Sequence, residues 1–203
     1  PRYRALDAPL LAVIGGSTGA GKSTLLNSLL RESVSVSSAI RPTTRRPILV
    51  HAPTDAPWFS DGRILPGLSR VRGSAGDPGD AASMELHTVS SPRVPHGLAL
   101  LDSPDIDSVV EDNRTVAHQR LAAADHWVFV TTAARYADAV PWELLDQAAA
   151  RNIVGAVVLN RVPIGVAAEI RPDLAARMEE RGVGSAPLFV MSEALDSEGF
   201  ISN

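Results

Sequence analysis

Leu10-Leu11-Ala12-Val13-Ile14-Gly15-Gly16-Ser17-Thr18-Gly19-Ala20-Gly21-Lys22-Ser23-Thr24 is the stretch of sequence that decides the fold. It begins as an apolar run of the kind that forms a buried strand, and it passes directly into a glycine-rich loop. Gly16, Gly21, Lys22 and Ser23 satisfy the phosphate-loop pattern G-x-x-x-x-G-K-[ST]. A chance match to this pattern would not be expected to follow directly on a predicted strand, so the strand makes a chance match improbable.

Each residue type in this loop suits the binding of a polyphosphate. Glycines let backbone N–H groups turn inward onto phosphate oxygens, while Lys22 adds a positive charge and the Ser23 hydroxyl is a ligand for Mg²⁺. Residues 22–30 have helical periodicity, with Leu25, Leu26, Leu29 and Leu30 on one face, so the positive end of a helix would point at the anion. The predicted nucleotide-binding residues are Gly16, Ser17, Thr18, Gly19, Ala20, Gly21, Lys22, Ser23 and Thr24. We therefore expect the chain to bind a nucleoside triphosphate with magnesium.

The composition indicates one α/β domain spanning residues 1–203. The hydrophobic fraction of 45% is enough to fill one core, and the aromatic fraction of 4% favours packing by Val, Leu and Ala. A net charge of −4 gives no basic surface for DNA or RNA, so we expect no nucleic-acid partner. The chain has no cysteine, and its five histidines lack the spacing of metal ligands.

The sequence also predicts a cytoplasmic location. None of its apolar runs approaches the roughly 20 residues that cross a bilayer. The chain begins at Pro1 without an initiator methionine, so it is expected to be a domain excised from a longer protein. A membrane segment, and with it an association with membranes, could then lie in regions outside this chain.

Strand and helix patterns alternate along the chain. Strands are predicted at residues 48–52, 84–89, 97–101, 126–132, 153–159 and 188–191, and helices at 108–124, 141–151 and 164–182. The last helix has Val166, Ile170, Leu174 and Met178 spaced four apart on one face, and Pro172 should kink or split it. Residues 53–83 have the glycine and proline content of an irregular insertion. The alternation predicts a P-loop NTPase fold, a three-layer α/β sandwich with a mostly parallel central sheet and ligands at the carboxyl ends of its strands.

Two further residues could complete a magnesium site. Asp102 ends an apolar strand about eighty residues after Lys22, where a P-loop enzyme needs a carboxylate for the metal. Thr44 lies in a loop that could bring a second hydroxyl. Ser23, Thr44 and Asp102 are therefore the predicted metal-binding residues, and Lys22, Thr44 and Asp102 the predicted catalytic residues.

Several segments resemble dynamin-type GTPases. Thr44-Arg45-Arg46-Pro47 before a β run looks like the first switch of that group, and residues 21–27 are similar to its bacterial relatives. Residues 102–109 and 131–140 look like actinobacterial dynamin-family GTPases that are often labelled ABC transporters. The resemblance spans residues 10 to about 195. It implies a Ras-like GTPase topology, a larger protein with helical or membrane-associated regions, and a homodimer across the nucleotide face.

The sequence departs from the family pattern at both sensing motifs. Asp105 replaces the glycine of Asp-x-x-Gly, and Ile106 stands where a glutamine would orient the attacking water, so we expect slow hydrolysis. The base-reading motif Asn-Lys-x-Asp appears as Asn160-Arg161-Val162-Pro163. Asn160 and Arg161 can still support a guanine ring, but the acceptor for its N1 and N2 is missing. GTP is favoured as the nucleotide, and ATP stays open.

Two alternatives remain at this level. An ATP-binding transporter subunit needs a Ser-Gly-Gly-Gln-like signature and a Glu after the strand-end Asp, but Ser103 follows Asp102. A non-hydrolysing, nucleotide-dependent scaffold would fit Asp105 and the missing glutamine. Arg45 or Arg46 could neutralise charge in a transition state, and Thr18, Thr44 or a partner could assist hydrolysis.

Overall fold

The computed structural model describes residues 7–35, 47–62, 64–73, 85–103 and 123–202. Its strands are β1 (Leu10–Gly16), β2 (Ile48–His51), β3 (Ser69–Arg72), β4 (Glu85–Ser90), β5 (Leu98–Asp102), β6 (His126–Thr132), β7 (Val154–Val162) and β8 (Leu188–Ser192). Its helices are α1 (Lys22–Leu30), α2 (Ala56–Phe59), α3 (Ala139–Ala150) and α4 (Ala167–Glu180), with a 3-10 turn at Pro53–Asp55.

The strands described form one sheet in the order β3-β4-β2-β5-β1-β6-β7-β8. Neighbouring strands are parallel except β2 and β5, which pair antiparallel. The sheet therefore consists of two parallel blocks that run in opposite directions and meet at β5. Because Ile48 pairs with Asp102, the amino end of β2 lies at the same edge of the sheet as the carboxyl ends of β1 and β5.

Two apolar clusters cover the two faces of the sheet. On one face Leu25, Leu26 and Leu30 of α1 pack with Ile14 and Val50. The other face is covered by α3 and α4, whose buried side chains include Trp142, Leu145, Leu174 and Met178. Strand residues alternate between these clusters, as the period of a β-strand requires. The predicted three-layer sandwich with a mostly parallel sheet is confirmed.

The helix periodicities place most of the predicted core correctly. Leu174 and Met178 are buried in α4, as their spacing predicts, whereas Leu29 in the last turn of α1 is 60% exposed. Pro172 does not split α4, which runs through it as one helix. A proline at this position removes one N–H bond to the preceding turn, and the packing of the helix face on the sheet compensates for that loss.

The structure differs from the prediction at two further places. Part of the expected irregular insertion is ordered, since residues 69–72 form β3 and pair with β4. Its Ser-Arg-Val-Arg sequence has little apolar content because β3 is an edge strand, and pairing with its neighbour stabilises it. Strand β7 continues three residues past its predicted end at Leu159, to Val162. The predicted helix at 108–124 lies almost entirely outside the described residues.

Among the helices that the structure describes, none is long and apolar enough to cross a membrane.

Candidate nucleotide site

The loop between β1 and α1 depends on glycines for two different reasons. Gly19 and Gly21 have φ angles of 73° and 85°, in the left-handed region that side-chain-bearing residues avoid. At Gly16 the reason is space, since an added Cβ would lie 1.9 Å from the carbonyl oxygen of Val130. The glycines of the motif therefore serve both loop conformation and close contact with β6.

Lys22 begins α1, and its side chain turns back under the loop. Its Nζ donates hydrogen bonds of 3.0 Å to the carbonyl oxygens of Gly16 and Ser17, and the residue is only 6% exposed. A buried ammonium beside a helix N-terminus gives the loop a concentrated positive potential. The arrangement can attract and hold an anion of high charge.

Ser23 and Asp102 lie in direct contact although they are far apart in sequence. The Ser23 hydroxyl donates a 2.6 Å hydrogen bond to Oδ2 of Asp102, and Asp102 is completely buried at the end of β5. The donated hydrogen leaves lone pairs on the Ser23 oxygen, which a hard cation can use. A hydroxyl beside a buried carboxylate has the oxygen chemistry that Mg²⁺ prefers, so these two residues fit that ion.

A second hydroxyl at Asp102 was not predicted from the sequence. Ser35 donates a 2.8 Å hydrogen bond to the same Oδ2 oxygen. The backbone of Ser35 is held by the side chain of Asn27 in α1. Asn27 belongs to the segment 21–27 that suggested the family resemblance, but no sequence pattern linked it to residue 35.

Asn160 joins the phosphate loop to β7. Its Nδ2 donates to the carbonyl oxygen of Ala20 at 2.9 Å. Gly21 packs against it so tightly that an added Cβ would lie 2.5 Å from that nitrogen and 3.3 Å from Nε of Arg161. Asn160 Oδ1 is buried and has no hydrogen-bond partner among the described residues. Both residues predicted to support the base therefore lie next to the loop.

The ends of β7 and β8 form the edge beside Asn160. Val162 pairs with Ser192, and the backbone N–H of Glu193 donates to the carbonyl oxygen of Val162 at 3.2 Å. Pro163 follows directly, and Ile164 is 93% exposed. We call residues 160–164 the base edge, because the sequence pattern assigns the nucleotide base to this position.

Arg135 contacts the phosphate loop from the loop after β6, and sequence reasoning assigned it no role. Its Nη1 donates to the carbonyl oxygen of Thr18 at 2.9 Å, while Nε donates to Asp138 at 2.9 Å. Arg45 and Arg46 are adjacent in the sequence and have a predicted role, whereas Arg135 has no basic neighbour to single it out. Arg135 lies near residue 18 because β6, the strand that precedes it, pairs with β1.

The next residue, Tyr136, ties this loop to α4. A hydrogen bond to Asp173, together with partial burial and the negative charge of Asp173, raises the pKa of the Tyr136 hydroxyl. In turn, hydrogen bonds from Arg177 and Tyr136 hold the pKa of Asp173 below its usual value. The backbone of Tyr136 also accepts a 2.6 Å hydrogen bond from Nε1 of Trp142. Arg135 is thus carried by a loop that has several anchors.

The remaining predicted residues lie outside the part of the chain that the structure describes. They are Thr44, Arg45, Arg46, Asp105 and Ile106. Since β2 begins at Ile48 opposite Asp102, the backbone enters this edge only four residues after Thr44. Within the described ranges, His, Cys, Asp and Glu form no group of three or more that could hold a metal ion. The proposed magnesium site is of a different kind, because it combines serine hydroxyls with the single carboxylate of Asp102.

Known proteins resemble this chain in part of its sequence and in its fold. Residues 11–64 match the profile of the Dynamin family. An oligomerised bacterial dynamin pair, described as a mechanism for long-range sensing and tethering of membranes, aligns with a TM-score of 0.62 at 16% identity. Era in complex with MgGDPNP and nucleotides of 16S ribosomal RNA aligns with a TM-score of 0.57 at 21% identity. The chain shares the α/β fold of these P-loop GTPase structures.

A second Era structure, from Aquifex aeolicus, is that of a single-residue variant bound to GDP.AlF4⁻; it aligns with a TM-score of 0.56 at 21% identity. Each alignment covers 92% of this chain, but only 51% and 52% of the Era chains and 34% of the bacterial dynamin chain. The chain therefore spans about half of one relative and about a third of the other. No curated protein matches the sequence.

Proposed function

We propose that this chain is the magnesium-dependent GTP-binding domain of a dynamin-like protein, that it hydrolyses GTP slowly, and that it acts as a switch. The observation that carries the proposal is the convergence of the phosphate loop, Lys22, Ser23 and Asp102 at one edge of the sheet. These groups come from β1, α1 and β5, and together they provide backbone donors, an ammonium, a hydroxyl and a carboxylate.

In this proposal the loop from Gly16 to Thr24 binds the phosphates. Lys22 already donates to two carbonyl oxygens of the loop, so its charge is directed into the loop. Mg²⁺, when bound, would neutralise phosphate charge, and Ser23, Asp102 and Thr44 would hold it. The contact between Ser23 and Asp102 supports the first two assignments. Thr44 is proposed from its place in the sequence before β2.

The nucleotide base would lie at the base edge, beside Asn160 and Arg161. The buried Asn160 Oδ1, which has no described partner, supports this position because such an oxygen is costly to leave without a hydrogen bond. Arg161 adjoins Gly21 and could cover the ribose side of the loop. Since Pro163 offers no carboxylate, guanine would be preferred by less than in a site that reads N1 and N2 with an acidic side chain.

Hydrolysis adds water to the γ-phosphorus and breaks its bond to the bridging oxygen, releasing GDP and phosphate. Ile106 cannot orient that water, so the reaction would be slow without help. Loss of the γ-phosphate would release the loop that carries Thr44 and change a surface for a partner. A second copy across the nucleotide face and a membrane contacted through other regions are the proposed partners. The absence of a nucleic-acid partner stays a prediction.

Competition between GTP and ATP for the purified domain tests the proposal. A fluorescent GDP analogue is displaced by each nucleotide with Mg²⁺ present, and phosphate release from GTP is measured in parallel. We expect GTP to compete more strongly and to be hydrolysed slowly. Stronger competition by ATP would contradict guanine as the preferred base. Tight GTP binding with no phosphate release would contradict hydrolysis and would favour a nucleotide-dependent scaffold.

A further inference from the structure

We propose that Ser35 is a positioning residue of the magnesium site, which acts by fixing the carboxylate of Asp102. The inference rests on the proposed function, because it concerns the metal that accompanies the nucleotide. It assigns a role to a residue that neither the phosphate-loop motif nor the switch motif includes.

The contact is direct and fully enclosed by protein. The Ser35 hydroxyl donates to Oδ2 of Asp102 at 2.8 Å, and the two residues are 2% and 0% exposed. Ser23, the proposed metal ligand, donates to the same oxygen at 2.6 Å. Two hydroxyls converging on one oxygen restrict rotation of the carboxylate. They also stabilise its charged form, which is the form that interacts with a cation.

Asn27 holds Ser35 in place through three hydrogen bonds. Its Oδ1 accepts from the backbone N–H groups of Val34 and Ser35 at 3.0 Å each, and its Nδ2 donates to the Ser35 carbonyl oxygen at 2.8 Å. An amide that bonds the backbone on both sides of a residue leaves that residue little freedom. Asn27 lies on α1, the helix that also carries Lys22 and Ser23, so one rigid element positions both hydroxyls.

Ser35 therefore acts on the metal through Asp102. Partners of a metal-binding carboxylate orient it and set its basicity, and their removal typically weakens metal affinity by about 10- to 100-fold. Phosphate binding depends on the loop and on Lys22, which Ser35 does not contact in the hydrogen bonds described. The two affinities should respond differently to a change at residue 35.

The test is Ser35→Ala, with binding of a fluorescent GDP analogue measured first in EDTA and then during a Mg²⁺ titration. We expect the Mg²⁺ concentration for half-maximal effect to rise by about tenfold, while affinity in EDTA stays close to that of the unaltered protein. The melting temperature should fall by a few degrees, because one buried hydrogen bond to a carboxylate is lost. Ser35→Thr keeps a hydroxyl and should restore the Mg²⁺ response. Ser28→Ala is the matched control, because it also removes one hydroxyl, from α1, but Ser28 bonds the Thr24 carbonyl oxygen and the Ile201 N–H instead of Asp102.

The possible outcomes separate this inference from the proposed function. An unchanged Mg²⁺ response in Ser35→Ala overturns the inference and leaves the function standing. Equal weakening in EDTA and in Mg²⁺ would make Ser35 a structural residue of the loop, which also overturns it. If the unaltered protein binds no guanine nucleotide, the proposed function fails and the inference fails with it.

Discussion

The phosphate loop and the base edge adjoin each other at Asn160, yet they are built in different ways. Around the loop, buried and half-buried polar groups contact one another at short distances, as in Lys22 with Gly16 and Ser23 with Asp102. At the base edge, by contrast, Pro163 has no side-chain donor or acceptor, and Ile164 is almost fully exposed. Asn160 is the link, because it bonds the loop through Nδ2.

Under the proposed function, the difference predicts which part of the nucleotide contributes most to its affinity. A polyphosphate carries high charge and is held by backbone donors and one ammonium, whereas a base is distinguished by hydrogen bonds to its edge. The described residues supply the first set densely and the second sparsely. Affinity for the nucleotide should therefore depend mainly on the loop. An added hydrogen-bond acceptor at residue 163 should increase discrimination between bases.

Lys22→Ala should have the largest effect. It removes the ammonium that is proposed to bind the phosphates, and hydrogen bonds from an ammonium to a charged group are worth about 3 kcal/mol, so affinity for GTP with Mg²⁺ should fall by about 100-fold. Isothermal titration calorimetry measures this directly. Arg31→Ala is the control, because Arg31 lies just after the other end of α1 in an exposed pair with Asp196 and should leave affinity unchanged. Equal affinities of Lys22→Ala and the unaltered protein would reject the site.

Pro163→Asp should strengthen recognition of guanine at the base edge. A carboxylate at this position could accept from guanine N1 and N2, and a hydrogen bond to a charged group is worth about 2 kcal/mol, or about 30-fold. The ratio of GTP to ATP affinities, measured by competition, should rise by that factor. Pro163→Asn is the neutral control and should gain less. A ratio that does not move would place the base elsewhere.

Gly21→Ala should disturb both regions together. The left-handed φ of 85° costs a residue with a Cβ about 1 to 2 kcal/mol, and the new Cβ would also displace Asn160. Chemical denaturation should therefore show a loss of about 2 to 3 kcal/mol, which is the backbone cost plus about 1 kcal/mol for the disturbed Asn160 hydrogen bond. Gly199→Ala is the matched control, because its φ is 82° and its surroundings are open, so it should show the backbone cost alone. Similar losses in the two variants would mean that Asn160 moves aside freely.

Arg135→Ala should have the smallest effect. It removes one partly exposed hydrogen bond to the Thr18 carbonyl, which is worth about 1 kcal/mol, so nucleotide affinity should weaken by about fivefold. Arg135→Lys should recover part of that loss. The melting temperature should hardly change, since the loop keeps its anchors at Tyr136. A large drop in melting temperature with unchanged affinity would show that Arg135 stabilises the fold and not the site.

Much of the fold was predictable, because it follows from local patterns. The strand at residues 126–132 was predicted at its observed bounds, and the spacing of Leu174 and Met178 identified the buried face of α4. Strand β3 was missed because an exposed edge strand has no apolar alternation, and its pairing with β4 cannot be inferred from four residues. The carboxyl end of β7 was misplaced because polar Asn160 and Arg161 interrupt the apolar run, although the strand continues to the buried Val162.

The candidate site divides in the same way. The loop from Gly16 to Thr24 was predictable from the sequence alone, because its conformation is set by its own glycines and by the first turn of the next helix. The contacts of Ser23 and Ser35 with Asp102, of Asn160 with Ala20 and of Arg135 with Thr18 join residues that are far apart in sequence. The order and direction of the strands bring those residues together. A hydrogen bond forms only when its two groups lie within about 3 Å, and no local sequence pattern specifies that distance.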